Sequence, residues 1–143
     1  MSTKVPTTLG SQLRLVILRL GRRLRQQAAG EVTPSQLSAL STVAKHGELT
    51  LGELAAIERI APPSMTRIAA RLEDQGWLER RTDVSDRRVA RVAVSPTGQA
   101  LLDETRTRRD AFLSSRLQQL SEEERALLER AVPLLERLAS DED

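Results

Sequence analysis

The chain has 143 residues, a formal net charge of +2 and no cysteine, which excludes a disulfide framework, a cysteine metal site and a thiol redox switch. Its pI of 9.9 overstates the basicity, because only two of the 22 bases are lysine and no tyrosine titrates below arginine. No apolar run approaches the roughly 18 residues of a membrane span, and the start lacks a signal-peptide core, so a cytoplasmic protein without membrane contact is expected.

The charge is unevenly placed. Residues 1–30 hold six bases and no acids, residues 59–91 eight bases and five acids, and residues 121–143 three bases against eight acids. That distribution predicts a dipolar molecule with basic elements facing an anionic partner and an acidic far side.

In chain order, residues 1–8 read as disordered. From Leu9, the positions Leu9, Leu13, Val16, Ile17, Leu20 and Leu24 keep helical spacing to about Ala28, with Arg14, Arg19, Arg22, Arg23 and Arg25 on much of the remainder. A basic amphipathic helix of this kind suits a partner helix better than a membrane surface. Gly30 stops it. Thr33-Pro34-Ser35-Gln36 then opens a second helix as a capping box with proline in its first turn. Leu37, Leu40, Val43 and Ala44 are its inner face and Gly47 its end. His46, the sole histidine, sits at that C-terminus, where a cation meets the negative end of the helix dipole; with no ligand partner near it in the sequence, its role is structural.

Thr50-Leu51-Gly52-Glu53 is a further capping box, opening a short helix to about Ile60 with Leu54, Ile57 and Ile60 inward. After the Pro62-Pro63 step, a helix from Pro63 to Gln75 places Met65, Ile68, Ala69 and Leu72 on one side. Pro63, Ser64, Arg67, Arg71 and Asp74 fall on the other, so a hydroxyl and two guanidinium groups occupy the exposed face. Gly76 ends the helix, and Trp77 plugs the junction that follows. Leu78–Arg81 and Arg91–Ser95 read as two strands around the turn-prone loop Thr82–Arg88. Asp86 can fix the loop tip by accepting from its backbone or from a guanidinium, leaving Arg87, Arg88 or both extended. Ser95-Pro96 caps a helix to about Gln119, with Leu101, Leu102, Thr105, Phe112, Leu113, Leu117 and Leu120 inward. Ser121-Glu122-Glu123-Glu124 is a third box, opening a final helix that carries Leu127, Leu128, Ala131, Leu134, Leu135 and Leu138. Pro133 is expected to kink this helix near Glu129, and the tail from Ser140 to fray.

Helix, turn, helix and basic hairpin in succession describe a winged helix-turn-helix, a shape that fits duplex DNA. The fold class expected is mainly α with a small β-hairpin, the winged helix-turn-helix being flanked by N- and C-terminal dimerisation helices. As one domain over residues 1–143, it comprises a DNA-binding lobe at 33–95 and dimerisation helices at 9–30 and 96–139. The terminal helices carry more large apolar side chains than the lobe can cover, and pairing with a second copy would remove them from water.

The motifs Ser64-Met65-Thr66-Arg67, Leu72-Glu73-Asp74-Gln75-Gly76-Trp77-Leu78-Glu79-Arg80, Asp86-Arg87-Arg88 and Val92-Ala93-Val94-Ser95-Pro96-Thr97-Gly98 resemble the MarR (multiple antibiotic resistance regulator) family. The family's wing pattern, Asp-x-Arg followed by an alternating strand and a Thr/Ser-x-x-Gly helix start, matches Asp86, Arg88, Ser95 and Gly98. The Pro62-Pro63 pair is a departure, so no operator sequence carries over. The resemblance implies a two-fold homodimer of interleaved terminal helices and a transcriptional regulator, most often a repressor. It also implies small anionic or phenolic effectors bound between the dimer helices and the winged helix.

The candidate DNA-binding residues are therefore Pro63, Ser64, Thr66, Arg67, Arg71, Asp86, Arg87 and Arg88. Ser64, Thr66 and Arg67 are expected on bases or phosphates of the major groove, Arg71 on phosphates, and Arg87 or Arg88 in the minor groove. The alternative is a winged helix that binds protein instead, which charge reversal at Arg67 and Arg88 would leave intact. No catalytic, cofactor or metal site is legible: there is no Gly-rich phosphate loop, H-E-x-x-H or G-x-S-x-G pattern.

Overall fold

Leu40 and Val43, Leu54, Met65 and Leu72, and Val92 are the largest fully buried side chains, and they draw three helices and a small sheet onto one core. The computed structural model describes residues 4–141, with side chains from Thr8 onward. The elements are α1 (Lys4–Arg25), α2 (Pro34–His46), β1 (Leu49–Thr50), α3 (Leu51–Glu58), α4 (Pro62–Asp74), β2 (Leu78–Thr82), β3 (Ala90–Val94), α5 (Pro96–Leu117) and α6 (Glu122–Ala139). Two compact units meet in sequence between Arg109 and Asp110, so α5 begins in the first and ends in the second.

In the first unit, α2 starts as its capping pattern predicts. Gln36 N–H donates to Thr33 Oγ1 and Thr33 N–H donates to Gln36 Oε1, both at 3.2 Å, with Pro34 in the first turn. Leu37, Leu40 and Val43 are buried as expected, but Ala39 rather than Ala44 completes the face; the last turn, Ala44–His46, is exposed throughout. In α3 the buried pair is Leu54 and Ala55. Ile57 lies about 110° around the helix from the middle of that pair, which is why it is 44% exposed rather than inward. Ile60 does pack on the core.

Two features at the start of α3 depart from expectation. Leu49 and Thr50 form a third strand, pairing with Val92 and Arg91, so the sheet order is β1-β3-β2 and not a bare hairpin. Two residues are too few for an alternating pattern to register in sequence. Thr50 does cap α3, accepting from Glu53 N–H at 3.1 Å, yet Glu53 does not return the bond to the Thr50 backbone. Its carboxylate instead accepts from the Thr50 hydroxyl at 3.1 Å and lies 3.7 Å from Arg91, the cation across the sheet. At the other end of α3, Glu58 accepts from Ser38 and Thr42 of α2, tying the two helices together.

The helix α1 already begins at Lys4, so residues 4–8 are helical rather than disordered; Pro6 falls in the first turn, where its missing N–H costs nothing. Residues 1–3 of that expected disordered stretch lie outside the described residues. Past Gly30, whose φ of 69° suits glycine, the α1–α2 connection is fixed on α5. Ala29 N–H donates to the buried Thr105 hydroxyl and Arg109 Nε to the Leu24 carbonyl, both at 3.1 Å.

In the second unit, α6 opens with the predicted box, Glu124 N–H donating to Ser121 Oγ at 3.1 Å and Ser121 N–H to Glu124 Oε1 at 2.9 Å. Arg125 donates to the Leu117 and Leu120 carbonyls, closing the end of α5. Phe112, Leu113, Leu117 and Leu120 are half-buried, whereas Leu127, Leu128, Leu134, Leu135 and Leu138 of α6 are exposed. Helical residues continue through Pro133 to Ala139, and of the tail expected to fray, residues 142–143 lie outside the described part. No helix of the described residues is long and apolar enough to cross a membrane.

Candidate nucleic-acid interface

The α4 helix is held by Met65, Ala69 and Leu72, all buried, with Ile68 packed beside them. That seating turns Pro63, Thr66, Arg67 and Arg71 outward, with Ser64 half-buried at the edge. Arg67 and Arg71 are one turn apart, and neither meets a carboxylate among the described residues. Thr66 differs from expectation as a donor. Its hydroxyl donates to the Pro62 carbonyl at 3.0 Å, so its one hydrogen is used inside the helix, leaving an acceptor and a methyl group outward.

The wing is built from two successive side-chain turns. Asp83 Oδ1 accepts from the Ser85 N–H at 2.8 Å and hydroxyl at 2.6 Å, and Asp86 Oδ1 accepts from Arg88 N–H at 3.1 Å. An aspartate accepting from the second residue after it mimics a backbone turn, which is why this polar loop has a defined shape. The Ser85 hydroxyl and N–H, with Arg91 behind them, hold the Asp83 carboxyl down at about 2. The Arg88 guanidinium and then its N–H lower that of Asp86. Asp86 thus takes both partners open to it from sequence, backbone and guanidinium. Arg88 is held on Asp86 by Nε at 3.1 Å and Nη2 at 3.3 Å while remaining 92% exposed. Arg87 is exposed and, among the described residues, has no carboxylate partner.

The remaining arginines of the sheet are neutralised locally. Arg80 pairs with Glu73 at 3.0 Å, Arg81 with Glu48 and Glu79, and Arg91 with Asp83 at 3.3 Å and with Glu53. The fold therefore sets carboxylates against the strand arginines, leaves Arg67, Arg71 and Arg87 without carboxylate partners among the described residues, and holds Arg88 on Asp86 while keeping it exposed. Sequence reasoning missed two contributors. Arg59, between α3 and α4, is exposed, unpaired among the described residues and left-handed at φ 55°; no sequence signal distinguishes it from a helical arginine. Asp83 was legible in principle, since Asp83-Val84-Ser85 has the same spacing as Asp86-Arg87-Arg88.

At the base of the wing, Trp77 packs against the core, as its position after Gly76 suggested. Its carbonyl accepts from Ser95 N–H at 3.0 Å, and the Ser95 hydroxyl accepts from Gly98 N–H at 2.9 Å. These bonds fix the start of α5 against the end of α4.

A three-helix lobe with an exposed arginine-bearing second helix, followed by an antiparallel wing tipped with arginine, defines the winged helix-turn-helix class of DNA-binding proteins. The MarR family pattern matches residues 32–90. An uncharacterised HTH-type transcriptional regulator of Mycobacterium bovis is 41% identical over 134 residues, covering 93% of this chain and 94% of the relative. The HTH-type transcriptional repressor MdtR of Bacillus subtilis is 34% identical over 93 residues, 65% of this chain and 60% of that protein. Among solved structures, a putative transcriptional regulator of Pseudomonas aeruginosa superposes with a TM-score of 0.85 at 36% identity, over 96% of this chain and 98% of that one. The chain belongs to the MarR family of helix-turn-helix transcriptional regulators and is a DNA-binding regulator.

Proposed function

We propose that the protein is a homodimeric repressor that binds pseudo-palindromic promoter sites and is released by a small-molecule effector. The observation that carries the DNA-binding site is the pair Arg67 and Arg71 on α4, exposed and without carboxylate partners among the described residues, in the same unit as Arg87 and Arg88 of the wing. Pro63, Ser64 and Arg67 enter the major groove, with Thr66 contributing its acceptor and methyl group. Arg71 sits on phosphate, and Asp86 orients Arg88 so that Arg87 and Arg88 serve the minor groove. Repression is supported by the name of the Bacillus subtilis relative.

The homodimer is supported by two apolar faces that are exposed among the described residues. Leu9, Val16, Ile17 and Leu20 of α1 and Leu127, Leu134 and Leu138 of α6 are exposed, and burying each such side chain is worth about 1.5–3 kcal/mol. A two-fold pair sets its recognition helices about 34 Å apart, one turn of DNA. On this reading the lobe at 33–95 and the helices at 9–30 and 96–139 act as reader and dimerisation frame of one domain. Footprinting on DNA flanking the protein's own gene, with sedimentation of the complex, tests all of this together. Two protected half-sites one turn apart and a dimer in the complex are expected; a monomer on an unpaired site would overturn the reading.

A further inference from the structure

Val84 stands apart from the other apolar residues. It is 100% exposed, whereas every other exposed large apolar side chain among the described residues lies on a helix and none exceeds 71%. The fold also holds it there. Asp83 Oδ1 accepts from the Ser85 N–H and hydroxyl, which closes a turn with Val84 at its apex. The other Asp83 oxygen accepts from Arg91 Nε at 3.3 Å, and Arg91 in turn lies 3.7 Å from Glu53 of α3. Behind the turn, Asp83 N–H donates to the Val89 carbonyl at 3.0 Å, and Val89 N–H to that of Asp86. An apolar side chain is thus fixed in water at the end of a ladder of bonds running back to the helix-turn-helix.

Those bonds enclose a tip of residues 84–88, with Val84 first and Arg88 last. Arg87 and Arg88 are exposed, while the carboxylates of Asp83 and Asp86 are both bonded within the wing. One branched apolar group and two guanidinium groups therefore share the end of the hairpin. A surface that is anionic at its rims and apolar on its walls matches that set. The minor groove of DNA is such a surface, and proteins that enter it combine arginine with apolar side chains. On its floor A·T and T·A pairs show acceptors only, whereas a G·C pair adds the guanine amino donor. Valine has no acceptor to offer, so it would bury that amino group unpaired, at a cost in binding. Its branched Cβ restricts its rotamers, so little freedom is lost when it is seated.

We propose that Val84 reads the minor groove by exclusion, accepting A·T or T·A beneath the wing and rejecting G·C. Arg87 and Arg88 then supply affinity and the valine supplies preference. The proposal rests on the reading above that places the wing in the minor groove, and it gives that wing a specificity residue.

The test uses the promoter footprint. Base pairs in the flank that the protein protects from minor-groove cleavage are replaced in turn by A·T, G·C and I·C, inosine being guanine without its exocyclic amino group. Anisotropy titration of the full chain should place I·C with A·T. The G·C duplex should bind at least about fivefold more weakly, the low end for one unfavourable base pair. Val84→Ala should bind the A·T duplex about three- to tenfold more weakly and lose most of the preference. Val84→Asn, whose amide oxygen can accept from the guanine amino group, should bind the G·C duplex at least as well as the A·T duplex. Melting temperatures should be unchanged, because the side chain is fully exposed. A preference kept in Val84→Ala belongs to groove width and the arginines and overturns the proposal, as does I·C behaving like G·C. The double variant Arg87→Ala with Arg88→Ala separates the two readings. If it loses affinity while Val84→Ala does not, the valine assignment alone falls; if neither change matters, the wing does not meet DNA and both fall.

Discussion

The Arg88 guanidinium lies across the carboxylate of Asp86, two residues before it, with Nε at 3.1 Å and Nη2 at 3.3 Å. Arg88 stays almost wholly in water, so the pair adds little to stability. Its consequence is direction: the carboxylate that fixes the loop backbone also limits where the arginine points.

A sign test follows for Asp86→Ala. If Asp86 matters only as a charge, removing it relieves repulsion from phosphate and DNA binding tightens. If it positions Arg88, binding weakens even though the protein becomes more basic. Weaker binding with an unchanged melting temperature is expected, read by fluorescence anisotropy on promoter DNA. Arg88→Ala should weaken it further.

Acid should loosen the wing late. The carboxyl of Asp83 titrates at about 2 in the fold against an ordinary 3.8, and that of Asp86 is also lowered. A depressed carboxyl supports the folded form fully above its ordinary value and loses that support as pH falls through the folded one. The Ser85 amide resonance should therefore hold from neutrality to about pH 4 and shift with a midpoint at about 2, and the Arg88 amide should shift at a pH below the ordinary carboxyl value. A transition centred at or above 3.8 would mean that the side-chain turns do not form in solution.

What was legible in the sequence was set by local chemistry. The boxes at Thr33 and Ser121 name their own hydrogen bonds, and the spacing of Met65, Ala69 and Leu72 fixes which side of α4 is buried. What escaped was decided across the fold. Glu53 has the spacing of a reciprocal cap but faces Arg91, a residue brought near only by strand pairing. Thr66 is expected on bases or phosphates, but helix geometry turns its hydroxyl proton onto the Pro62 carbonyl. Eight arginines in residues 59–91 look alike in sequence; which of them are neutralised depends on partners as distant as Glu48 for Arg81.

The wing base tolerates no side chain at Gly98. A Cβ there would lie 2.2 Å from the Trp77 carbonyl oxygen, a backbone atom already bonded to Ser95. Gly98→Ala should destabilise by about 1–3 kcal/mol, the range for forcing an extra carbon into a packed site. Gly52→Ala is the control: only the Thr50 hydroxyl lies near, at 3.9 Å, and alanine in α3 should stabilise by up to about 1 kcal/mol. Thermal unfolding of the two should move in opposite directions.

Arg59 offers a separation of stability from binding. A left-handed conformation costs a residue with a Cβ about 1–2 kcal/mol, and glycine escapes that cost. Arg59→Gly should raise the melting temperature. If the guanidinium meets phosphate, the same change should lower DNA affinity and reduce the slope of log affinity against log salt by about one. An unchanged slope would leave Arg59 with a conformational role alone.

Arg67 and Arg71 share a helix face and a charge, and neither meets a carboxylate among the described residues, so only function tells them apart. The early turns of a recognition helix point toward base edges, which gives Arg67 the reading role and leaves Arg71 nearer the backbone. A bidentate arginine–guanine contact is worth about 1–3 kcal/mol of discrimination, whereas a phosphate contact is blind to sequence. Arg67→Ala should therefore narrow the gap between promoter and random DNA by that amount. Arg71→Ala should weaken both equally and flatten the salt dependence by about one unit. Titrations of each variant on both duplexes at several salt concentrations decide it, and a uniform loss for Arg67→Ala would move that residue from base reading to backbone contact.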